Sequence, residues 1–116
     1  MSNAPHYREH IVLGDDEKKV SFVKDSKATN AGSFVVMKED HTLGNMVRMS
    51  LLRDREVLFA GYRMPHPLEN KLVIAIRTRD SSNPVEVMQK SIQFLKDELT
   101  SLERQFEDEL RRRNQQ

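Results

Sequence analysis

The stretch Glu39–Asp54, EDHTLGNMVRMSLLRD, decides how the rest of the chain reads. Leu43, Met46, Val47 and Leu51 recur at helical spacing, and Met49 and Leu52 widen the stripe. Asp40 or Thr42 offers a side-chain oxygen to the unpaired amides of a first turn. The spacing predicts a helix from about Asp40 to Arg53. Gly44 and Asn45 are poor residues for its opening turns, because glycine in an exposed helix interior costs about 1 kcal/mol relative to alanine. Their presence implies a contact that needs them. The expectation is that Gly44 lets a partner helix or loop approach closely, while Asn45 offers an amide to a partner group.

Strand patterns flank the helix on both sides. Lys18–Lys24 (KKVSFVK) alternates, Asp25–Gly32 (DSKATNAG) has the chemistry of a turn, and Ser33–Lys38 (SFVVMK) reads as a second strand completing a hairpin. Downstream, Val57–Met64 (VLFAGYRM) is a third strand, with Leu58, Ala60 and Tyr62 on one face and Val57 and Phe59 on the other. Pro65 and Pro67 around His66 forbid both helix and ladder pairing. Lys71–Thr78 (KLVIAIRT) is the clearest strand of all. The order β-β-α-β-β-α predicts an α+β fold, a two-layer domain with an antiparallel four-stranded sheet and two helices on one face. Some apolar residues of the strands should then remain exposed on the other face.

The last helix is the longest element. Asn83 is its N-cap and Pro84 its first residue, and nothing breaks the pattern to about Arg113. At 1.5 Å per residue it reaches about 45 Å, longer than a sheet of this size is wide. Met88, Ile92, Leu95, Leu99, Leu102 and Phe106 form a row of period 3.5 that Leu110 extends, while the positions between them are charged. Beyond about Leu99 this seam outruns its own sheet and calls for a partner helix. Arg111–Arg113 complement the negative end of the helix dipole.

Composition narrows the function classes. The 116 residues suffice for a single domain spanning 1–116, with residues 1–16 as an N-terminal segment over it and 84–113 as the long C-terminal helix. Nineteen basic against eighteen acidic residues give a net charge of +1, without the basic excess of a dedicated nucleic-acid or anionic-membrane binder. No cysteine is present, which excludes disulfides and thiolate zinc sites. No apolar run approaches a membrane span, and the first residues lack the apolar core of a signal peptide. The histidines His6, His10, His41 and His66 have no metal-binding spacing, and the scattered glycines make no phosphate loop. An Asp40–His41 pair is conceivable chemistry, but no nucleophile accompanies it.

The segments KEDHTLGN (Lys38–Asn45) and VLFAGYRMPHPLENK (Val57–Lys71) resemble the small α-like subunits of multisubunit RNA polymerases. The resemblance covers most of the chain, including Asn3-Ala4-Pro5 and Glu17-Lys18-Lys19. HTLGN, His41–Asn45, is shared across the archaeal and nuclear α-like small subunits, and Thr42–Arg48 is similar to the corresponding helix of the bacterial α subunit. Leu68 after the second proline resembles the polymerase II form; the polymerase I and III form usually has serine there. Thr29-Asn30-Ala31 departs from the family's Pro-Asn-Ala, which loosens a turn.

The resemblance implies a non-catalytic assembly subunit in the nucleus, without cofactor or metal. It implies pairing with a larger α-like subunit, and the pair as platform for the second-largest subunit and the other core subunits. No direct nucleic-acid or membrane contact is expected. Leu43, Gly44, Met46, Val47 and Leu51, with Leu95, Leu99, Leu102 and Phe106, are expected to face the α-like partner. Arg48, on the opposite flank, is expected to meet the second-largest subunit. The same role in an archaeal or polymerase I or III enzyme stays open. From the residues alone, so do a homodimeric adaptor and a small hydrolase using His41 and Asp40.

Overall fold

Alternating apolar residues in two long strands build the centre of the structure, a computed structural model that describes residue 13 and residues 18–115. The elements are β1 (Val20–Lys24), β2 (Ala31–Met37), α1 (His41–Leu52), β3 (Val57–Arg63), β4 (Lys71–Thr78) and α2 (Pro84–Asn114). The sheet is antiparallel throughout, in the order β1-β2-β4-β3. Phe34 stands opposite Ile74 and Val36 opposite Leu72, so one face of the two central strands is continuously apolar. Both helices cover that face: Val47 and Leu51 from α1 and Val87 and Met88 from α2 join Phe34, Val36, Ala60, Leu72, Ile74 and Ile76 in one core. The α+β arrangement expected from the residue pattern is the one observed. The reading of residues 1–16 falls outside the described residues, apart from Leu13.

Local chemistry sets the boundaries. Asp25 Oδ1 accepts from the amides of Lys27 (2.7 Å) and Ala28 (3.3 Å), closing the β1–β2 turn early enough for β2 to start at Ala31 rather than Ser33. Asp40 caps α1 through the Thr42 amide at 3.0 Å, and Asn83 caps α2 through the Glu86 amide at 2.9 Å. Pro84 occupies the first turn of α2, where its missing N–H leaves no bond unmade. Between β2 and α1 the chain reverses at Lys38, whose φ of 59° is left-handed, and its amide donates to Asn70 O. A Lys19–Glu39 ion pair at 2.8 Å ties the entry of β1 to the same corner.

Two expectations are corrected. Strict alternation in β3 fails because the register slips between Val57 and Phe59. Val57 pairs with Thr78 and turns to the core, whereas Leu58 is the extra residue of a bulge and is exposed. The second correction concerns Gly44, which is buried against the chain's own sheet and not open to a partner. A Cβ at Gly44 would lie 2.6 Å from Tyr62 Cδ2 and 2.8 Å from Leu72 Cδ1. The missing side chain lets α1 lie flat on β3 and β4.

Gly44→Ala tests this directly. Alanine improves helix propensity by about 1 kcal/mol, but forcing a methyl into packed side chains costs about 1–3 kcal/mol. Urea unfolding should therefore show a lower midpoint for the variant. An unchanged or raised midpoint would mean that the contact with Tyr62 and Leu72 is not limiting.

Candidate partner-binding surface

The a/d row of α2 divides in two along its length. Met88 is buried and Leu95 half-buried against the core, so the first three turns belong to the domain. Past Leu95 the row stays apolar and loses its cover: Leu99 is 53% exposed, Leu102 63% and Phe106 65%, with Leu110 also open; Ile92, one step before Leu95, is exposed too. A helix 31 residues long extends about 46 Å. Its distal half is steadied by local polar pairs such as Arg111–Asp108 and Arg112–Glu109, each one turn apart.

The two helices cross through small residues. Ser50 and Ser91 are both buried there, and Ser50 Oγ donates to Ser91 O at 3.4 Å. Ser91 Oγ is buried without a hydrogen-bond partner. Beside the crossing, Arg53 reaches Glu98 at 3.3 Å and lies over the Phe94 ring at 5.6 Å. Met49 and Leu52, each 49% exposed, occupy the side of α1 turned from the sheet.

The structure sorts the residues expected to face a partner. Leu99, Leu102 and Phe106 form one exposed stripe. Leu43, Met46 and Leu95 are half-buried at its border. Gly44, Val47 and Leu51 are withdrawn: Val47 is 4% and Leu51 0% exposed, both inside the chain's own core. Helical spacing marks an apolar stripe without saying which layer covers it. Ile92, Met49, Leu52 and Phe94 are exposed as well and had no place among the expected contacts. For Ile92 the signal was already present in the α2 heptad row. Arg48, assigned to a separate partner, donates to Asn45 Oδ1 at 2.9 Å and lies 6.0 Å from the Tyr62 ring centre. Asn45 thus serves its own helix.

Asp40 and His41 do not work together. The Asp40 carboxylate holds the Thr42 amide, while His41 Nδ1 lies 3.2 Å from the Tyr62 hydroxyl with the rings edge to face. Among the described residues no group of three or more His, Asp or Glu side chains is placed to hold a metal ion, and no helix is long and apolar enough to cross a membrane.

Residues 31–105, from β2 well into the exposed seam, match the family of the RNA polymerase Rpb3/Rpb11 dimerisation domain. The chain belongs to this family. It is 49% identical over 111 residues to the DNA-directed RNA polymerase II subunit rpb11 of Dictyostelium discoideum, covering 96% of this chain and 92% of that protein. It is 48% identical over 105 residues to the probable DNA-directed RNA polymerase II subunit RPB11 of Caenorhabditis elegans, covering 90% and 85%. Its fold is similar to the crystal structure of the DNA-directed RNA polymerase subunit L of Thermoplasma acidophilum. That likeness has a TM-score of 0.66 at 25% identity, over 82% of this chain and 93% of that one. The resemblance read in HTLGN and MPHPLEN thus extends over residues 31–105 in the family match and over 111 residues in the Dictyostelium relative.

The division of the stripe has a measurable consequence for the chain itself. Leu51→Ala empties a core site and should cost about 2–5 kcal/mol of folding stability. Leu102→Ser alters an exposed position and should change stability by less than about 0.5 kcal/mol. Urea unfolding of the dilute chain, followed by circular dichroism, compares the two. Similar losses would place Leu102 in the domain's own core.

Proposed function

We propose that this chain is the smaller α-like subunit of RNA polymerase II, a non-catalytic assembly subunit that acts in the nucleus. It pairs with the larger α-like subunit, of the Rpb3 kind, and the pair forms the platform for the second-largest subunit and the rest of the core enzyme. The observation that carries this reading is the uncovered seam of α2 on a chain of the Rpb3/Rpb11 dimerisation-domain family. A row of large apolar side chains along a protruding helix leaves apolar area in water, and covering it with another apolar surface is favourable.

The interface follows from exposure. Leu99, Leu102 and Phe106, with Ile92 and Leu110, supply the apolar strip, and Leu43, Met46 and Leu95 carry it onto the domain. Leu51, Val47 and Gly44 act from beneath by fixing α1 on the sheet. Arg48 stands on the flank of α1 away from α2 and is assigned to the second-largest subunit. With a net charge of +1 the chain needs no direct nucleic-acid contact for this role.

Co-expression pull-down with the larger α-like subunit tests the pairing. Leu102→Asp brings an unpaired carboxylate into the covered seam, a burial that costs several kcal/mol, so recovery should fall at least about tenfold. Glu103→Ala, one position round the helix, should be recovered like the parent. Equal recovery of both would remove the seam from the interface.

The non-catalytic role has its own test. His41→Ala and His66→Ala should leave nucleotide addition by the assembled polymerase unchanged per mole of complex. An intact complex with a collapsed turnover rate would make one of these histidines part of the chemistry.

A further inference from the structure

The pairing reading uses only the helices, and a second surface lies away from them at the sheet end formed by the β1–β2 turn. The β3 bulge turns Leu58 out of the core to 53% exposure, and Phe59 beside it is 55% exposed. Leu58 lines a concavity of about 620 Å3 between that turn and the adjoining ends of β3 and β4, with Lys27, Arg77 and Arg79 in its walls. A second concavity of about 320 Å3, lined by Phe59 and Val23, shares Ala28 and Arg77 with the first. Together they make one groove in which Leu58, Phe59 and Val23 stand among polar and charged side chains.

The balance of charge in the groove is cationic: Lys24, Lys27, Arg77 and Arg79 stand against Asp25 and Asp80, which stay ionised while bonded to neutral donors. The Asp25 carboxyl is committed to the Lys27 and Ala28 amides, which hold it below the usual carboxylate range with help from the Lys27 and Arg77 charges. Asp80 Oδ1 accepts from Asn30 Nδ2 at 2.7 Å. Arg79 donates through Nε to Arg55 O at 2.9 Å, and its two terminal nitrogens have no acceptor among the described residues. Among the described residues Lys27, Arg77 and Arg79 have no ion-pair partner.

We infer that this groove binds an acidic peptide segment of another protein, one that sets an apolar side chain on Leu58 and Phe59. The two guanidinium groups present paired N–H donors suited to carboxylates. The exposed leucine and phenylalanine discriminate between anionic ligands: a phosphate backbone would use the cations and leave both apolar side chains in water. An acidic segment with an apolar residue uses every feature of the groove.

The test rests on the assembled complex of the proposed function. A photo-cross-linking amino acid replaces Leu58, and the adducts are sequenced by mass spectrometry. The expected adduct lies in another protein chain, in a segment where Asp or Glu flanks an apolar residue. Its yield should fall about fivefold or more in Arg77→Gln/Arg79→Gln, as for removal of two exposed ion pairs, and be restored only in part in Arg77→Lys/Arg79→Lys, which keep the charge without the paired donors. Adducts on nucleic acid, on residues 1–17 of this chain, or on a segment without acidic residues would overturn the inference. So would an intact complex that gives no adduct, or a yield indifferent to the arginine changes. Recovery of the larger α-like subunit is scored in the same samples, so loss of pairing is read separately from loss of the groove's ligand.

Discussion

The contact of Gly44 with Tyr62 and Leu72 sets the height of α1 above the sheet, and the other layers are placed from there. With α1 lying flat, Val47 and Leu51 reach the apolar face of β4 and close the core beneath them. The same seating brings Ser50 against Ser91, so α2 crosses α1 at close range through side chains of a few atoms. The first turns of α2 then bury Val87 and Met88, and its axis carries the remaining turns past the sheet. One missing Cβ in α1 thus contributes to the path of a helix some 40 residues downstream. The penalty of glycine in a helix, about 1 kcal/mol, is offset by the burial this seating permits, with a buried leucine side chain contributing about 1.5–3 kcal/mol.

Two kinds of polar contact keep that layer in place without adding to its apolar area. Helix caps at Asp40 and Asn83 fix where each helix starts, and the Asp25 turn fixes where β2 starts. These bonds are local and short-ranged, so each depends on a few neighbouring residues. The seam of α2 is different in kind. Its residues past Leu95 are exposed and contribute little to the chain's own core. Under the proposed pairing, folding and assembly draw on largely different residues of a single helix, with Leu95 serving both.

How much of this was legible in the residues follows from the range of each signal. Lys71–Thr78 was readable as a strand because its apolar run is bounded by an Asn and an Asp, and Asn83-Pro84 announced a helix start because capping chemistry is local. The α2 seam was readable because period 3.5 persists after the domain ends. The destination of the α1 stripe was not, since periodicity identifies an apolar side and says nothing of what faces it. Val47 and Leu51 looked identical in pattern to residues awaiting a partner. The bulge at Leu58 was hidden for another reason: it arises from pairing with Thr78 and Arg77, some twenty residues away, and strand alternation carries no trace of it. Gly44 was recognised as odd, but the group it makes room for lies in strands that only the fold brings near.

The bulge in β3 also bears on which assemblies the chain avoids. Among the described residues the sheet has two open edges, β1 and β3, and an open edge is a template on which another copy's strand can add itself through backbone hydrogen bonds. β1 is only five residues long and is bracketed by Lys19 and Lys24. β3 is longer, but the slip at Leu58 breaks the even spacing of its free N–H and C=O groups, and Arg55 and Arg63 lie at or near its two ends. Both edges are thereby poor templates for strand addition and for the fibrous aggregation that follows from it. A protein with a greasy helix exposed has special need of such protection, and under the proposed pairing it leaves the helix alone to decide what sticks to it before assembly.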